Sequence, residues 1–141
     1  MFEAVEALDK AAQEMKRSLR VEGEAAIKGM FRSFFEAYPS VRAVRWTQYT
    51  PHFNDGEACV FSVNEAQLAF HAGANDGGTL ERWFDYWDLR EQGSPVNEDF
   101  SKLNQLLQSD TLAFILDAAF GDGYEVTATR EAITAEHYDH D

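Results

Sequence analysis

Cysteine, proline and long apolar segments are scarce in this chain of 141 residues, which has one cysteine and three prolines. Cys59 alone cannot form an internal disulfide, and this favours a reducing compartment. No stretch approaches the roughly 20 apolar residues that a membrane-spanning helix needs. The first residues include the acids Glu3 and Glu6 and no long apolar run, so they do not resemble a secretory signal. These absences predict a cytoplasmic protein that makes no membrane contact.

Basic residues are also few, because 12 lysines and arginines stand against 25 acids, for a formal net charge of −13. Residues 1–50 hold seven acids and eight bases, whereas residues 51–141 hold eighteen acids and four bases. Such a charge opposes direct binding to nucleic-acid phosphates and to anionic membranes. Aromatic residues make up 13% of the chain. This content supports a folded core and excludes a disordered acidic tail.

The N-terminal segment has the apolar spacing of a helix. Apolar residues recur every three or four positions over residues 2–38, which predicts a long N-terminal helix ending before Pro39. Gly23 permits a break near Val21–Glu24, so a pair of helices is the alternative. The apolar face is either a core-packing stripe or the seam of a dimer, and we expect core packing.

The character of the chain changes after Pro39. Val41–Tyr49 is rich in β-branched and aromatic residues and predicts a strand. Residues 59–63, with an extension towards Phe70, predict its antiparallel partner across a turn at Asn54-Asp55-Gly56. Residues 124–129 predict a last strand that continues towards Tyr138. Between these strands, helices are predicted at residues 80–91, 97–107 and 112–120.

The predicted order is α-β-β-α-α-β, with two to three helices between the hairpin and the last strand, and it indicates an α+β fold with helices on one side of a small antiparallel sheet. We expect a single domain over residues 1–141, with a helical part at 2–38 and an acidic α+β part at 41–141. Cys59 has no basic neighbour on its strand, so a buried and unreactive thiol is expected.

Acidic residues recur within the predicted helix 80–91. Glu81, Asp85 and Asp88 follow one another at helical spacing, which places them on one face, opposite the tryptophans of that helix. Their separation of about 5–6 Å along the helix is close to the spacing of phosphates along a nucleic-acid strand, roughly 6–7 Å. The face is either an ordinary solvated surface or a docking site for a basic surface of another protein.

Large aromatics lie where the first strand runs into its turn. Trp46, Tyr49 and Phe53 alternate there with amide and hydroxyl side chains. This mixture is typical of protein contact surfaces and of small-molecule pockets. In the alternative interpretation, Trp46 and Phe53 pack against the N-terminal helix while Gln48 and Thr50 face water.

A metal site is the main alternative to a docking surface. His137, Asp139 and His140 bring metal-ligand side chains together at the C-terminus, and His52 and Asp55 at the hairpin tip are candidates to complete the set. These residues form the basis of an alternative function, a small metal- or ligand-binding enzyme. A solvated tail is the simpler interpretation, since chain ends are seldom rigid. Nucleotide-binding and zinc-protease motifs are absent, so no cofactor and no catalytic residue are predicted.

One segment resembles a known family. The run Trp46-Thr-Gln-Tyr-Thr-Pro-His-Phe-Asn-Asp-Gly-Glu57, followed by Cys59-Val-Phe-Ser-Val63, is similar to the signature of small uncharacterised accessory proteins of T4-type and other tailed phages. The likeness covers residues 31–63 and the C-terminal segment, which ends in Tyr138-Asp-His-Asp141. It implies an accessory protein that acts in the host cytoplasm, and it brings no known reaction or catalytic residue.

The preferred function is therefore a non-enzymatic protein that binds and inhibits or redirects a host protein at a basic surface, such as one that normally holds nucleic acid. Glu81, Asp85 and Asp88 would dock on that surface, and the hairpin aromatics would supply a second contact. A structural protein that forms a homodimer through its N-terminal helices is a further alternative.

Overall fold

The computed structural model describes residues 1–51, 59–71 and 82–139 of the chain. This part forms an α+β fold with a long N-terminal helix, as the sequence predicts, and it contains four helices and five strands. The helices are α1 (Glu3–Ala37), α2 (Tyr86–Gln92), α3 (Asn97–Leu107) and α4 (Asp110–Phe120). The strands are β1 (Val41–Tyr49), β2 (Ser62–Val63), β3 (Gln67–Phe70), β4 (Tyr124–Ala128) and β5 (Ile133–His137).

The sheet is antiparallel throughout and is built around β1. One edge of β1 pairs with β4, which pairs in turn with β5, and the other edge pairs with β2 and β3 in succession. The predicted partner strand is thus two short strands, and the predicted last strand is a hairpin. Thr129 causes this reversal, because its backbone N–H bonds to the carbonyl of Ala132 and its hydroxyl accepts the N–H groups of Glu131 and Ala132.

The helices α1 and α4 cover one face of the sheet, which confirms the predicted layering. Phe31 of α1 stacks on Trp46 of β1 with ring centroids 5.7 Å apart and planes 5° from parallel. Gln48, two residues further along the same face, bonds to the carbonyl of Leu116 in α4. Val126 of β4 lies opposite Trp46 and is fully buried. The core therefore lies between these two helices and the sheet.

The N-terminal helix is continuous, so the predicted long helix is confirmed and the alternative of a break near Val21–Glu24 does not occur. Gly23 lies inside α1 and is buried, because α4 approaches it so closely that its position has no room for a side chain. Only the C-terminal part of α1 enters the core, through residues such as Ile27 and Phe35. The expectation that the whole apolar face packs in the core is wrong for residues 3–22, which are exposed except for the half-buried Ala12.

A side chain from the other end of the sequence holds the C-terminus of α1. Arg130 follows β4, and its Nη2 donates to the carbonyl of Phe35 at 2.9 Å. Its Nη1 donates to the carbonyl of Val41 at 2.7 Å. Its guanidinium also lies over the ring of Phe35, 5.2 Å from the centroid. The last carbonyls of a helix have no hydrogen-bond partner within the helix. Arg130 provides a partner for the carbonyl of Phe35.

Two local predictions are corrected. The helix predicted at residues 80–91 begins only at Tyr86, because Phe84 is held in an extended bridge by reciprocal backbone hydrogen bonds of 2.8 and 2.9 Å to Leu68. Cys59 is exposed and not buried, since it precedes β2 and does not take part in it. In the described part of the chain, no helix combines the length and the apolarity that crossing a bilayer requires.

Tyr38 joins the end of α1 to the first turn of α3. Its hydroxyl donates a hydrogen bond to the carboxylate of Asp99. This bond, with smaller effects of burial and of nearby negative charge, raises the pKa of Tyr38 to about 12. The neutral phenol is therefore favoured by the fold. The stabilisation that the Tyr38–Asp99 hydrogen bond gives the fold is fully present below the ordinary tyrosine pKa of about 10. It is lost as the pH rises through about 12.

We expect one of the five tyrosines to ionise late in an alkaline titration followed by phenolate absorbance. In Tyr38→Phe this late component should disappear. In Asp99→Asn it should move down towards the ordinary pKa, because the carboxylate that holds the proton is gone. A late component that survives Tyr38→Phe would assign it to another tyrosine and would contradict this hydrogen bond.

Candidate interaction surfaces

Two members of the predicted acidic helix face, Asp85 and Asp88, lie at the N-terminus of α2. Asp85 is the N-cap of α2, and its Oδ1 accepts the backbone N–H of Asp88 at 2.8 Å. The Oδ2 of Asp88 in turn accepts the backbone N–H of Asp85 at 3.1 Å. This reciprocal arrangement is a capping box, and it places two negative charges at the positive end of the helix dipole. Glu81, the third member of the predicted set, lies outside the described residues.

The hairpin aromatics have different environments. Trp46 is only 2% exposed and belongs to the core, so the interpretation in which it packs on the N-terminal helix is confirmed, and it cannot touch a partner in this state. Tyr49 is half-buried and stacks on Tyr138 with centroids 6.0 Å apart. Phe53 lies outside the described residues.

The alternative interpretation places Gln48 in water, and this part of it is wrong, because Gln48 is completely buried. Its Oε1 accepts the indole N–H of Trp46 at 3.0 Å. Its Nε2 donates to the carbonyls of Leu116 at 3.0 Å and Gly121 at 2.9 Å. The amide thus joins β1 to the C-terminal end of α4, where helix carbonyls need partners. Its role is structural.

The metal-site candidates are divided between described and undescribed residues. His52, Asp55 and His140 lie outside the described part. His137 Nδ1 lies 3.7 Å from Asp139 Oδ1, and both side chains are exposed. Within the described residues, no three histidine, cysteine, aspartate or glutamate side chains are placed to hold a metal ion together. The metal- or ligand-binding alternative stays a prediction for the complete set.

The sheet presents a second, polar face on the side away from α1 and α4. Glu125 of β4 lies directly opposite Glu136 of β5, and Thr47 of β1 lies on the other side of Glu125. These residues alternate with the buried Val126, so their side chains point away from the core. We call Thr47, Glu125 and Glu136 the acidic sheet row. Side chains opposed in this way have Cβ atoms about 4.5–5.5 Å apart, and like charges there are destabilising.

Positive charge does not compensate this acidity locally. Within the described residues, no lysine or arginine forms an ion pair with a carboxylate. Arginines contact aromatic rings or backbone carbonyls instead: Arg45 lies 4.1 Å from the centroid of Trp83, and Arg130 bonds to carbonyls. Elsewhere on the surface, partial burial and, to a lesser degree, the carboxylate of Asp122 raise the pKa of Asp117. The anionic surface is therefore not neutralised from within this part of the chain.

The N-terminal helix provides a surface of the opposite kind. We call Phe2, Val5, Leu8, Ala12, Met15 and Leu19 the apolar stripe. All of its large side chains are exposed, by between 40% for Leu19 and 72% for Met15. The sequence shows the stripe plainly through its spacing, but periodicity alone does not say whether a helix packs on its own domain or on another molecule.

Comparisons with family models, with curated proteins and with solved structures found no significant match to this chain. The resemblance of the hairpin motif to phage accessory proteins stays a prediction.

Proposed function

We propose that this chain is a non-enzymatic binding protein that docks its acidic sheet row on a basic surface of a partner protein and so inhibits or redirects it. The observation that carries the proposal is the direct opposition of Glu125 and Glu136 on an accessible sheet face. Two carboxylates in this relation destabilise the sheet. A cationic surface that binds across from them would attract both carboxylates and offset the repulsion between them.

The surrounding residues fit such a contact. The next cross-strand row on the same face contains Arg45, Thr127 and Thr134. The guanidinium of Arg45 lies over the ring of Trp83 and forms no ion pair with a described carboxylate. The lack of local compensation leaves a field that would steer a basic partner and raise its association rate. Residues placed against stability in this way are typical of functional surfaces.

The class of partner that we propose is suggested by the resemblance of the hairpin motif. If the chain acts as an accessory protein of a tailed phage, the partner is a protein of the host cytoplasm. A basic surface that normally holds nucleic acid is the kind of surface that an acidic protein would occupy, and competition with DNA or RNA for that surface would then be the mechanism of inhibition.

The test compares two variants that each remove two negative charges. Glu125→Gln/Glu136→Gln acts on the acidic sheet row, and Glu14→Gln/Glu22→Gln acts on exposed positions of α1. The full chain is immobilised, and proteins from a host lysate are eluted with a salt series. We expect the sheet variant to lose the salt-sensitive partner, with affinity reduced roughly tenfold, and the helix variant to keep it.

The same sheet variant should be more stable than the wild type, since it removes the repulsion between strands. We expect an increase in unfolding free energy of roughly 0.5 kcal/mol, measured by urea denaturation. A gain in stability together with a loss of binding would show that the two glutamates lower the stability of the fold and are needed for binding. Retention that is unaffected by salt, or equal retention by both variants, would refute the proposed function.

A further inference from the structure

The apolar stripe projects from the domain along the first part of α1. Residues 3–22 form about 30 Å of helix at 1.5 Å per residue, and no residue in this segment is buried. Exposed Phe2, Val5, Leu8 and Met15 form a contiguous row on it. Helices obtain most of their stability from packing an apolar face, and a row of this size marks an interaction site.

The stripe has the spacing of a coiled-coil seam. Val5, Ala12 and Leu19 recur at intervals of seven residues, and Leu8 and Met15 recur at the same interval between them. These are the a and d positions of a heptad pattern, which keeps one face of a helix turned towards a partner helix. The occupant is therefore expected to be another α-helix.

Charge along the same segment indicates which helix it is. Residues 3–9 contain three acids and no base, whereas residues 16–20 contain three bases and no acid. A parallel copy of α1 would place acid against acid and base against base. An antiparallel copy would place the acidic block of each chain beside the basic block of the other, so the segment is complementary to itself in one direction only.

We propose that two copies of this chain associate through their apolar stripes, with the two α1 helices antiparallel and centred near Gln13 and Glu14. In this alignment Leu8 packs beside Leu19 of the partner subunit, and Ala12 beside Met15 of the partner subunit. Asp9 and Lys16 both occupy the position that follows d in the heptad. They meet across the seam, once on each side of the twofold axis.

The size of the contact suits a reversible dimer. The stripe has five large apolar side chains in each copy, and covering them buries on the order of 1,000 Å² in total, where specific interfaces begin. Dimerisation is therefore expected to depend on protein concentration. The inference is independent of the proposed function, because it concerns the purified chain alone.

Sedimentation velocity over a concentration series tests the contact. The full chain should move from monomer to a species of twice its mass, and Leu8→Glu/Met15→Glu should stay monomeric with an unchanged thermal unfolding midpoint at low concentration. Val21→Glu/Val60→Glu is the matched control, because it adds the same charge at apolar residues that are 60% and 64% exposed but lie outside the stripe. It should dimerise like the wild type.

Charge reversal tests the orientation. Asp9→Lys and Lys16→Asp should each weaken the dimer roughly tenfold, since each places like charges together at two symmetric contacts. The combined variant should recover the wild-type dissociation constant. A parallel dimer would not show this recovery. A wild-type chain that stays monomeric at every concentration, or that stays monomeric and binds phosphatidylcholine vesicles through the stripe, would overturn the proposal.

Discussion

Replacing Gln48 with leucine is expected to lower the free energy of unfolding by about 3–5 kcal/mol, the largest effect of any single polar substitution considered for this fold. The reason is the number of groups that lose a partner at once. The indole N–H of Trp46 and the carbonyls of Leu116 and Gly121 all bond to this amide. The carbonyl of Leu116 keeps the bond that it accepts inside α4, but the indole N–H and the carbonyl of Gly121 lose their partner. Each buried group left without a hydrogen bond costs about 1–3 kcal/mol, and leucine supplies neither donor nor acceptor.

Urea denaturation with a double-mutant cycle measures this effect. In a Trp46→Phe background the indole N–H is absent, so Gln48→Leu should cost about 1 kcal/mol less than in the wild type. Gln67→Leu is the control, because Gln67 is also on a strand but is half-buried and accepts one bond, from Arg45 Nε. Its cost should stay below about 1 kcal/mol. Equal costs for the two glutamines would refute the role assigned to Gln48.

Gln48 also shows which structural features can be predicted from the sequence and which cannot. The composition of residues 41–49 predicts a strand, and the structure confirms it. Polarity alone suggested that Gln48 faces water. The period of a strand places it on the face of Trp46 and Val44, and this stronger signal agrees with the structure. What the sequence does not show is that α4, more than sixty residues later, would present two carbonyls to receive the amide.

The acidic residues show a different limit. Glu81, Asp85 and Asp88 fit a helical period, but the period does not mark where the helix starts. The spacing of Asp85 and Asp88 is also that of a capping box, and the capping box is what the structure contains. By contrast, the opposition of Glu125 and Glu136 depends on strand register. The sequence does not predict this opposition, because the alternation of residues 124–138 is also compatible with one continuous strand.

The acidic residues that make up the net charge therefore have different effects on stability. Two of the acids with the most regular spacing in the sequence are occupied in holding the end of a helix, and their placement there is stabilising. Glu125 and Glu136 are placed where they destabilise the sheet, in a region where arginines contact rings and carbonyls. Charge that destabilises the fold is the better indicator of a binding surface, because two carboxylates do not need to face each other in order to be solvated. This contrast is why the proposed docking surface lies on the sheet.

The two glycines of α1 are expected to respond in opposite directions to the same substitution. Alanine at an exposed helical position is more favourable than glycine by about 1 kcal/mol. At Gly29 no atom lies within 4 Å of the added Cβ, so Gly29→Ala should raise the free energy of unfolding by about 0.5–1 kcal/mol. At Gly23 the Cβ would lie 2.2 Å from Cδ1 and 2.8 Å from Cγ1 of Ile115.

Gly23→Ala should therefore destabilise the protein by about 1–2 kcal/mol, because overpacking costs typically 1–3 kcal/mol and exceeds the gain in helix propensity. Thermal or urea unfolding of both variants gives the comparison directly. The opposite signs matter because Gly23 marks the point where α4 crosses α1, beyond which the helix leaves the core. A side chain at this position would push apart the helices that hold the projecting segment on the domain.

Truncating the side chain of Ile115 should reverse the effect of Gly23→Ala on stability. Ile115→Ala alone is expected to cost about 2–5 kcal/mol through the cavity it leaves. In that background, Gly23→Ala no longer meets Cδ1 or Cγ1, and its methyl group fills part of the space. The substitution should then be neutral or stabilising, a coupling of about 1–3 kcal/mol between the two positions. If Gly23→Ala destabilised the protein equally in both backgrounds, the close crossing of α1 and α4 would not be its cause.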